Sequence, residues 1–127
     1  MTEPRFLLDT NICIYLIEGL SDRARDRVEA LAPGEVVASV ICYAEVMRGV
    51  DHANAHAMKS CERFFRAIEV MDFGRRAADE YARLPFRRNR YDRLIAAHTL
   101  ALGAVLVTNN VADFADVPTL KVENWTV

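Results

Sequence analysis

The chain has few cysteines and no cysteine motif, which excludes two common ways of stabilising a small domain. Its three cysteines, Cys13, Cys42 and Cys61, are widely spaced and form no C-x-x-C pair. An odd number at irregular spacing predicts neither a disulfide framework nor a zinc site. We expect all three to be small buried side chains.

The sequence also lacks a long uninterrupted apolar run. The longest stretch, LIAAHTLALGAVLV at 94–107, is too short and too interrupted to cross a bilayer as one helix of about 20 residues. The segment MTEPRFLLDT at 1–10 has neither the apolar region nor the cleavage site of a secretory signal. We therefore expect a cytoplasmic protein without a membrane span.

A strong net charge is absent as well, because the formal charge is only -2. No global basic field therefore indicates a nucleic-acid partner. The arginines are nevertheless uneven, since five of them fall between positions 83 and 93. Taken alone, such a cluster is more typical of a solvated helix end and loop than of a binding surface.

What the chain does have is the composition and pattern of an α/β domain. With 127 residues, 52% of them hydrophobic, it predicts a single domain, 1–127, with a real core. Short runs rich in Val, Leu and Ile alternate with longer segments of helical period, which predicts a parallel sheet. We expect a three-layer α/β/α domain with about five short strands. These strands are predicted at 5–8, 36–39, 68–71, 104–107 and 120–123.

Helices are predicted between these strands, with recognisable starts and stops. Ser39 and Asn89 are candidate N-caps, whereas Gly49 and Gly103 are candidate C-terminal stops. The helices are expected at 11–18, 22–31, 40–48, 53–67, 74–84 and 90–102.

Four acidic residues stand where a functional site is expected. Asp9 follows the first predicted strand, and Glu45 lies in the helix after the second. Asp113 follows the TNN exit of the fourth strand, while Asp92 opens the helix that leads into it. Ligands of open α/β sheets bind at the carboxyl ends of the strands. The four acids can converge there, provided that the helix of Asp92 begins at the same edge.

Converging carboxylates repel one another and therefore need a cation or raised pKa values. Oxygen ligands without His or Cys suit Mg²⁺ or Mn²⁺ rather than Zn²⁺. Such ions can polarise a phosphoryl oxygen and lower the pKa of a bound water, so the pattern indicates phosphodiester hydrolysis. Thr108, Asn110 and Asn11 are candidate supporting residues, because a hydroxyl or amide there could orient a water or a carboxylate.

Each acid also has a local explanation. Asp9 could cap the helix that follows it, and Asp92 could favour a first helical turn. Glu45 could pair with Arg48 on a helix surface, and Asp113 could be a surface turn residue. It is the joint placement at strand exits that carries the prediction.

Three further residues are given no functional role. His98 does not share the helix face of Asp92, so we expect it to be a satisfied core or edge histidine. Tyr91 and Trp125 are interpreted as packing residues.

The sequence resembles the PIN-domain toxins of the VapC type in four separated blocks, which follow the family's order. The blocks are LLDTNICIYLI (7–17), ASVICYAEVMRG (38–49), YDRLIAAHTLALGAVLVTNNVADF (91–114) and VPTLKVENW (117–125). Between them, 51–89 resembles nothing beyond helices of suitable length.

The resemblance implies the toxin component of a type II toxin–antitoxin system, a Mg²⁺- or Mn²⁺-dependent endoribonuclease that cleaves RNA. It further implies a homodimer or higher toxin–antitoxin assembly, neutralised by a VapB-like antitoxin. The family's catalytic and metal-binding acids map onto Asp9, Glu45 and Asp92, with Asp113 as the fourth. Asn110 departs from the acid that members often carry at its position.

The resemblance changes the interpretation of the arginines. Beside an active edge, Arg87, Arg88, Arg90 and Arg93 become candidates for phosphate contacts that position RNA without reading its sequence. Some can instead contact acidic antitoxin residues. Their segment, FRRNR at 86–90, replaces a glycine that the family frequently has before its third acid.

Two alternatives remain open at this point. A haloacid-dehalogenase-like phosphotransferase would use Asp9 as a covalent nucleophile, but its Asp-x-Asp pattern is absent from Asp9-Thr10-Asn11. A non-catalytic binding module would keep the PIN fold without the chemistry, which the change at Asn110 leaves conceivable.

Overall fold

The computed structural model describes residues 3–86 and 91–127, and within them a parallel five-stranded sheet forms the centre of the molecule. Its order along the sheet is β3-β2-β1-β4-β5, and every pairing is parallel. All five predicted strands are confirmed. They are β1 (Phe6–Leu8), β2 (Val36–Ser39), β3 (Glu69–Met71), β4 (Val105–Val107) and β5 (Val122–Glu123).

Strand β1 lies in the middle of the sheet, and its burial follows from helices covering both faces. Its residues are buried without alternation, as expected for a strand that meets apolar side chains on both sides. Leu7 pairs with Val37 of β2 on one side and with Leu106 of β4 on the other. The strand order reverses between β1 and β4, and ligands of open α/β sheets bind at such a point.

Six helices in the described chain complete the predicted three layers. They are α1 (Thr10–Glu18), α2 (Asp22–Glu29), α3 (Val40–Gly49), α4 (Ala55–Ala67), α5 (Arg75–Arg83) and α6 (Tyr91–Leu102). A short 3-10 helix, Val111–Phe114, follows β4. Helices α1, α3 and α4 pack together, whereas α5 packs along α6.

The helix boundaries follow their capping residues. Ser39 caps α3 by accepting a hydrogen bond from the Ile41 N–H at 3.0 Å, as predicted. Gly103 ends α6 with a φ of 65°, a left-handed conformation that favours glycine. Gly49 was predicted as the stop of α3 but is its last residue, because the extended backbone of Val50 ends the helix. The predicted cap Asn89 lies outside the described residues.

The core bears out most of the expectations for individual side chains. Cys13, Cys42 and Cys61 are free and buried. Trp125 is buried, and its ring meets Phe6 edge-on with 5.0 Å between centroids. No helix in the described ranges has the length and apolarity needed to cross a membrane.

Trp125 was one of three residues given no functional role, and the structure gives different results for the other two, His98 and Tyr91. His98 is buried and hydrogen-bonded to the Ser39 hydroxyl at 2.8 Å, which confirms a satisfied core histidine. Tyr91 was expected to pack, but 59% of it is exposed, so that prediction is wrong. Tyr91 is the first residue of α6.

Candidate active site

A cavity of about 300 Å³ lies at the carboxyl ends of β1 and β4, where the strand order reverses. All four predicted acids line it, together with two of the three predicted supporting residues. These lining residues are Asp9, Asn11, Glu45, Asp92, Asn110 and Asp113. Thr10, Tyr91, Ile95 and Phe114 complete the wall. Residues far apart in sequence thus form one acidic cavity, as the strand-exit argument predicts.

Asp9 is the most buried of these acids, with 7% of its surface exposed. Its Oδ1 accepts a hydrogen bond from the Ile12 N–H at 2.9 Å, so it caps α1 as well as lining the cavity. Burial raises the pKa of Asp9 above its ordinary value. Hydrogen bonds from Thr108 and Ile12 oppose that rise in pKa, and the charges of Glu45 and Asp92 add to it.

Thr108, which directly follows β4, contacts the Asp9 side chain. It is fully buried, and its hydroxyl interacts with the Asp9 carboxyl and thereby lowers the pKa of Asp9. The same hydroxyl oxygen accepts a hydrogen bond from the Asn110 N–H at 3.0 Å. Thr108 therefore links the exit of β4 to the carboxylate at the exit of β1.

Glu45 is held from the neighbouring helix. The Thr10 hydroxyl donates a hydrogen bond to Glu45 Oε1 at 2.6 Å, joining the start of α1 to the middle of α3. The surface ion pair with Arg48 that was considered for Glu45 does not form within the described chain. Thr10 was not predicted from the sequence, where its only signal is its place directly after Asp9.

Asp92 lies in the first turn of α6, and its neighbour Arg93 overturns one prediction. The Arg93 side chain is only 1% exposed, although it was proposed to contact RNA phosphates. It donates hydrogen bonds to Asp116 Oδ1 at 3.0 Å and to the backbone carbonyl of Asp113. A guanidinium buried in this way cannot meet a phosphate, so the prediction for Arg93 is wrong. Arg87, Arg88 and Arg90 lie outside the described residues.

The remaining two candidates lie on the open side of the cavity. Asn110 and Asp113 are both exposed, with Asp113 inside the 3-10 helix and Asn110 just before it. Asn11, at the start of α1, is also exposed on this rim. The cavity thus has a buried acid at its base and exposed oxygen donors at its mouth.

The polar side chains that line the cavity are of the types that can bind a divalent metal ion. In residues 3–86 and 91–127, no three His, Cys, Asp or Glu side chains form a ready-made metal site. The polar donors around the cavity are nevertheless carboxylate, amide and hydroxyl oxygens. Mg²⁺ typically keeps several waters and uses only one or two carboxylates, and Mn²⁺ has similar ligand preferences. The residues present therefore fit a hydrated Mg²⁺ or Mn²⁺ ion.

Fold and site together define a class, that of three-layer α/β proteins with an acidic, oxygen-lined cavity at the switch point of a parallel sheet. Residues 6–120 match the family model described as the PIN domain. The chain belongs to the PIN-domain family, and within it to the VapC proteins, which confirms the resemblance seen in the sequence.

Curated relatives match over almost the whole chain. Ribonuclease VapC2 of Rickettsia felis is 33% identical, and the match covers 94% of this chain and 97% of the relative. The tRNA(fMet)-specific endonuclease VapC of Salmonella typhimurium is 32% identical, with 95% and 98% covered.

Solved structures agree with the fold. VapBC2 of Rickettsia felis, crystallised with a DNA fragment from its promoter, contains a chain that superposes with a TM-score of 0.84 at 32% identity. That match covers 94% of this chain and 98% of the other. The DNA-bound VapBC of Salmonella typhimurium gives a TM-score of 0.85 at 28% identity, covering 96% and 98%. The predicted PIN-like fold is thereby confirmed.

Proposed function

We propose that this protein is the toxin of a type II toxin–antitoxin system and acts as a metal-dependent endoribonuclease that hydrolyses RNA phosphodiester bonds. The observation that carries the proposal is the convergence of four acids on one cavity at the switch point of a PIN fold. Relatives named ribonuclease VapC2 and tRNA(fMet)-specific endonuclease VapC support RNA as the substrate.

The proposed cofactor is Mg²⁺ or Mn²⁺. The candidate ligands are Asp9, Glu45, Asp92 and Asp113, of which one or two would bind the ion directly and the others through its waters, with the Asn110 amide as a neutral donor at the rim. When bound, such an ion polarises a phosphoryl oxygen and lowers the pKa of a bound water.

The chain's own contribution is to fix the carboxylates in advance. The α1 cap and Thr108 hold Asp9, while Thr10 holds Glu45. Carboxylates restrained in this way lose little conformational freedom when a cation arrives, which is the general advantage of a preorganised site. Burial of Asp9 keeps bulk water away from the base of the cavity and strengthens electrostatic interactions there.

For the substrate, we propose that Arg87, Arg88 and Arg90 contact phosphates beside the site. Their support is positional, because they directly precede Tyr91 and Asp92, which line the cavity. Contacts of this type position a nucleic acid without reading its sequence. Some of these arginines can alternatively meet acidic residues of an antitoxin.

We further propose a VapB-like antitoxin as inhibitor, a homodimeric toxin and a cytoplasmic location. Structures of related chains in VapBC complexes support the antitoxin. We also propose that 1–127 forms one PIN domain, since a single core cluster contains buried side chains from Phe6 to Trp125.

The central test uses Asp9→Asn in protein freed of antitoxin. Wild-type protein is expected to cleave RNA only when Mg²⁺ or Mn²⁺ is added. Asn preserves an oxygen acceptor for the Ile12 N–H but removes the charge, so the rate should fall by about 100-fold, equivalent to about 2.7 kcal/mol. The measurement is cleavage of purified RNA, with circular dichroism to verify folding.

Asp26→Asn is the matched control, because Asp26 has an exposed side chain on α2, and its rate should not change. Cleavage with chelator present, or full activity of Asp9→Asn, would contradict the mechanism. Metal-dependent RNA binding without cleavage would favour the non-catalytic PIN module, while a trapped aspartyl-phosphate on Asp9 would favour the phosphotransferase. Sequencing RNA ends after induction in cells, beginning with initiator tRNA, identifies the target.

A further inference from the structure

Arg93 is the buried basic residue next to the acidic cavity, and its burial needs an explanation. Its side chain is 1% exposed, while the Asp92 side chain beside it is 21% exposed. A buried charge is costly unless it is paired and hydrogen-bonded. Its partners therefore indicate what the position is for.

Two of those partners lie in one segment on the far side of the cavity, 113–116. One terminal nitrogen of Arg93 donates to Asp116 Oδ1 at 3.0 Å, and the other donates to the carbonyl oxygen of Asp113. The guanidinium also lies 5.7 Å from the ring centroid of Phe114. A planar guanidinium can hold two acceptors at once, which an ammonium group cannot do with the same geometry.

The third partner belongs to the helix of Arg93 itself. Its Nε is 3.6 Å from Asp92 Oδ1, too far for a hydrogen bond, so this contact is electrostatic. The buried Nε has no hydrogen-bond acceptor among the described residues. The guanidinium thus lies between Asp92 and the segment of Asp113, and its Nε does not donate a hydrogen bond to Asp92.

The segment that Arg93 holds needs such an anchor. Asp113 lies in a four-residue 3-10 helix, a conformation that is marginal in isolation. Asp92 and Asp113 carry like charges on two different elements, and their repulsion favours separation. The positive charge of Arg93 is hydrogen-bonded to segment 113–116 and lies close to Asp92, so it offsets this repulsion.

We propose that Arg93 is a positioning residue that ties segment 113–116 to the first turn of α6 and thereby sets the spacing of Asp92 and Asp113 across the cavity. This inference rests on the proposed function, since both acids are proposed metal ligands. Arg93 acts through them and does not touch the RNA.

The first experiment measures amide hydrogen exchange without metal or RNA, in wild type, Arg93→Met and Arg93→Lys. In Arg93→Met, amides at 110–117 should exchange at least about tenfold faster while those of β1 and β2 stay unchanged, because only the local anchor is lost. Exchange at 110–117 in Arg93→Lys should be intermediate, since lysine retains the positive charge and can donate a hydrogen bond to one of the two acceptors. Arg25→Met is the matched control, because Arg25 is exposed on α2, and exchange should not change.

The second experiment titrates Mn²⁺ alone, following the electron paramagnetic resonance signal of free Mn²⁺. Arg93→Met should weaken Mn²⁺ affinity about tenfold, as expected when a residue that orients ligands is lost. In cleavage assays kcat should fall while KM for RNA stays within about twofold, because only the spacing of the acids changes.

Three results would overturn the inference: unchanged exchange at 110–117, exchange raised equally throughout the molecule, or raised KM with unchanged kcat. The last would mean that Arg93 contacts RNA. If Arg93→Met does not fold, Asp116→Asn removes the charged acceptor and should give the same pattern at smaller amplitude. If wild-type protein binds no Mn²⁺, the proposed function is contradicted instead. The hydrogen-exchange experiment, which needs no metal, then tests by itself whether Arg93 anchors segment 113–116.

Discussion

At the scale of single residues, Asp9 combines a structural and a proposed chemical role. It caps α1, and it is also a buried carboxylate whose pKa is raised by burial, with the charges of Glu45 and Asp92 adding to the rise. The local explanation and the functional one are therefore both true. Their combination predicts a conflict between stability and activity.

We expect Asp9→Asn to stabilise the metal-free protein by about 1 kcal/mol at neutral pH, although it slows cleavage by about 100-fold. The raised pKa means that the folded state binds a proton more tightly than the unfolded chain. Wild-type stability therefore falls as the pH rises through that pKa, whereas the uncharged Asn avoids this loss. Below the ordinary carboxyl pKa of 3.8 the difference should disappear.

Urea unfolding in chelator, repeated across the pH range, measures this difference. Adding Mg²⁺ should reverse it, because a ligand that binds only the folded state stabilises wild type more than a variant lacking one carboxylate. If Asp9→Asn is less stable than wild type at neutral pH without metal, the buried charge of Asp9 does not destabilise the folded protein.

Residue type and position were enough to predict the acids but not their neighbours. Asp9 and Asp113 could be predicted because each directly follows a strand or its exit. Arg93 was predicted to contact RNA because it belongs to the arginine cluster beside the expected active edge. Its burial depends on Asp116, 23 positions away, and a sequence pattern does not encode that contact.

At the scale of elements, the site depends on helices that start at the ends of strands. Asp9 caps α1 directly after β1, and Ser39 caps α3 directly after β2. Ser39 has a second partner, the buried ring of His98 on α6, 59 positions away. One hydroxyl thus begins α3 and joins it to α6.

We expect Ser39→Ala to cost about 2–3 kcal/mol of unfolding free energy. Loss of a cap costs about 1 kcal/mol, and a buried ring nitrogen left without its partner adds a similar or larger amount. Ser21→Ala is the matched control, because Ser21 caps α2 through the Ala24 N–H alone and should cost only about 1 kcal/mol. Denaturant unfolding of both variants decides the point, and equal costs would mean that the contact with His98 contributes nothing.

At the scale of the whole molecule, the sheet order brings Asp9, Glu45, Asp92 and Asp113 together from four separate elements. This arrangement requires other elements to pack against the central strand β1, and residues near the C-terminal end of the described chain contribute to that packing. Trp125 packs edge-on against Phe6 of β1, and its Nε1–H donates to Glu123 Oε1 at 2.9 Å. Arg27 of α2 lies 4.8 Å from the centroid of the same ring.

We expect Trp125→Ala to destabilise the protein by about 3–5 kcal/mol, the usual cost of removing a large buried aromatic side chain. Arg27→Ala should cost less than about 1 kcal/mol, because its ion pair with Glu123 is largely exposed. Urea titrations followed by circular dichroism compare the two. A cost for Trp125→Ala as small as that for Arg27→Ala would show that the end of the chain is not part of the cooperative core.

The strands, the helices and the acids at the strand exits could all be predicted from the amino-acid sequence, because each is encoded locally by an apolar run, a helical period or a residue at the end of a run. Three features follow only from the folded chain: Thr10 holds Glu45, Arg93 is buried and Tyr91 is exposed. Whether a side chain is covered, and what it bonds, depends on residues brought together from distant parts of the chain. For this reason the stretch FLLDTN predicted a carboxylate at the edge of the sheet and TNN predicted a supporting hydroxyl at Thr108, but only the fold brings the two side chains together across 99 positions.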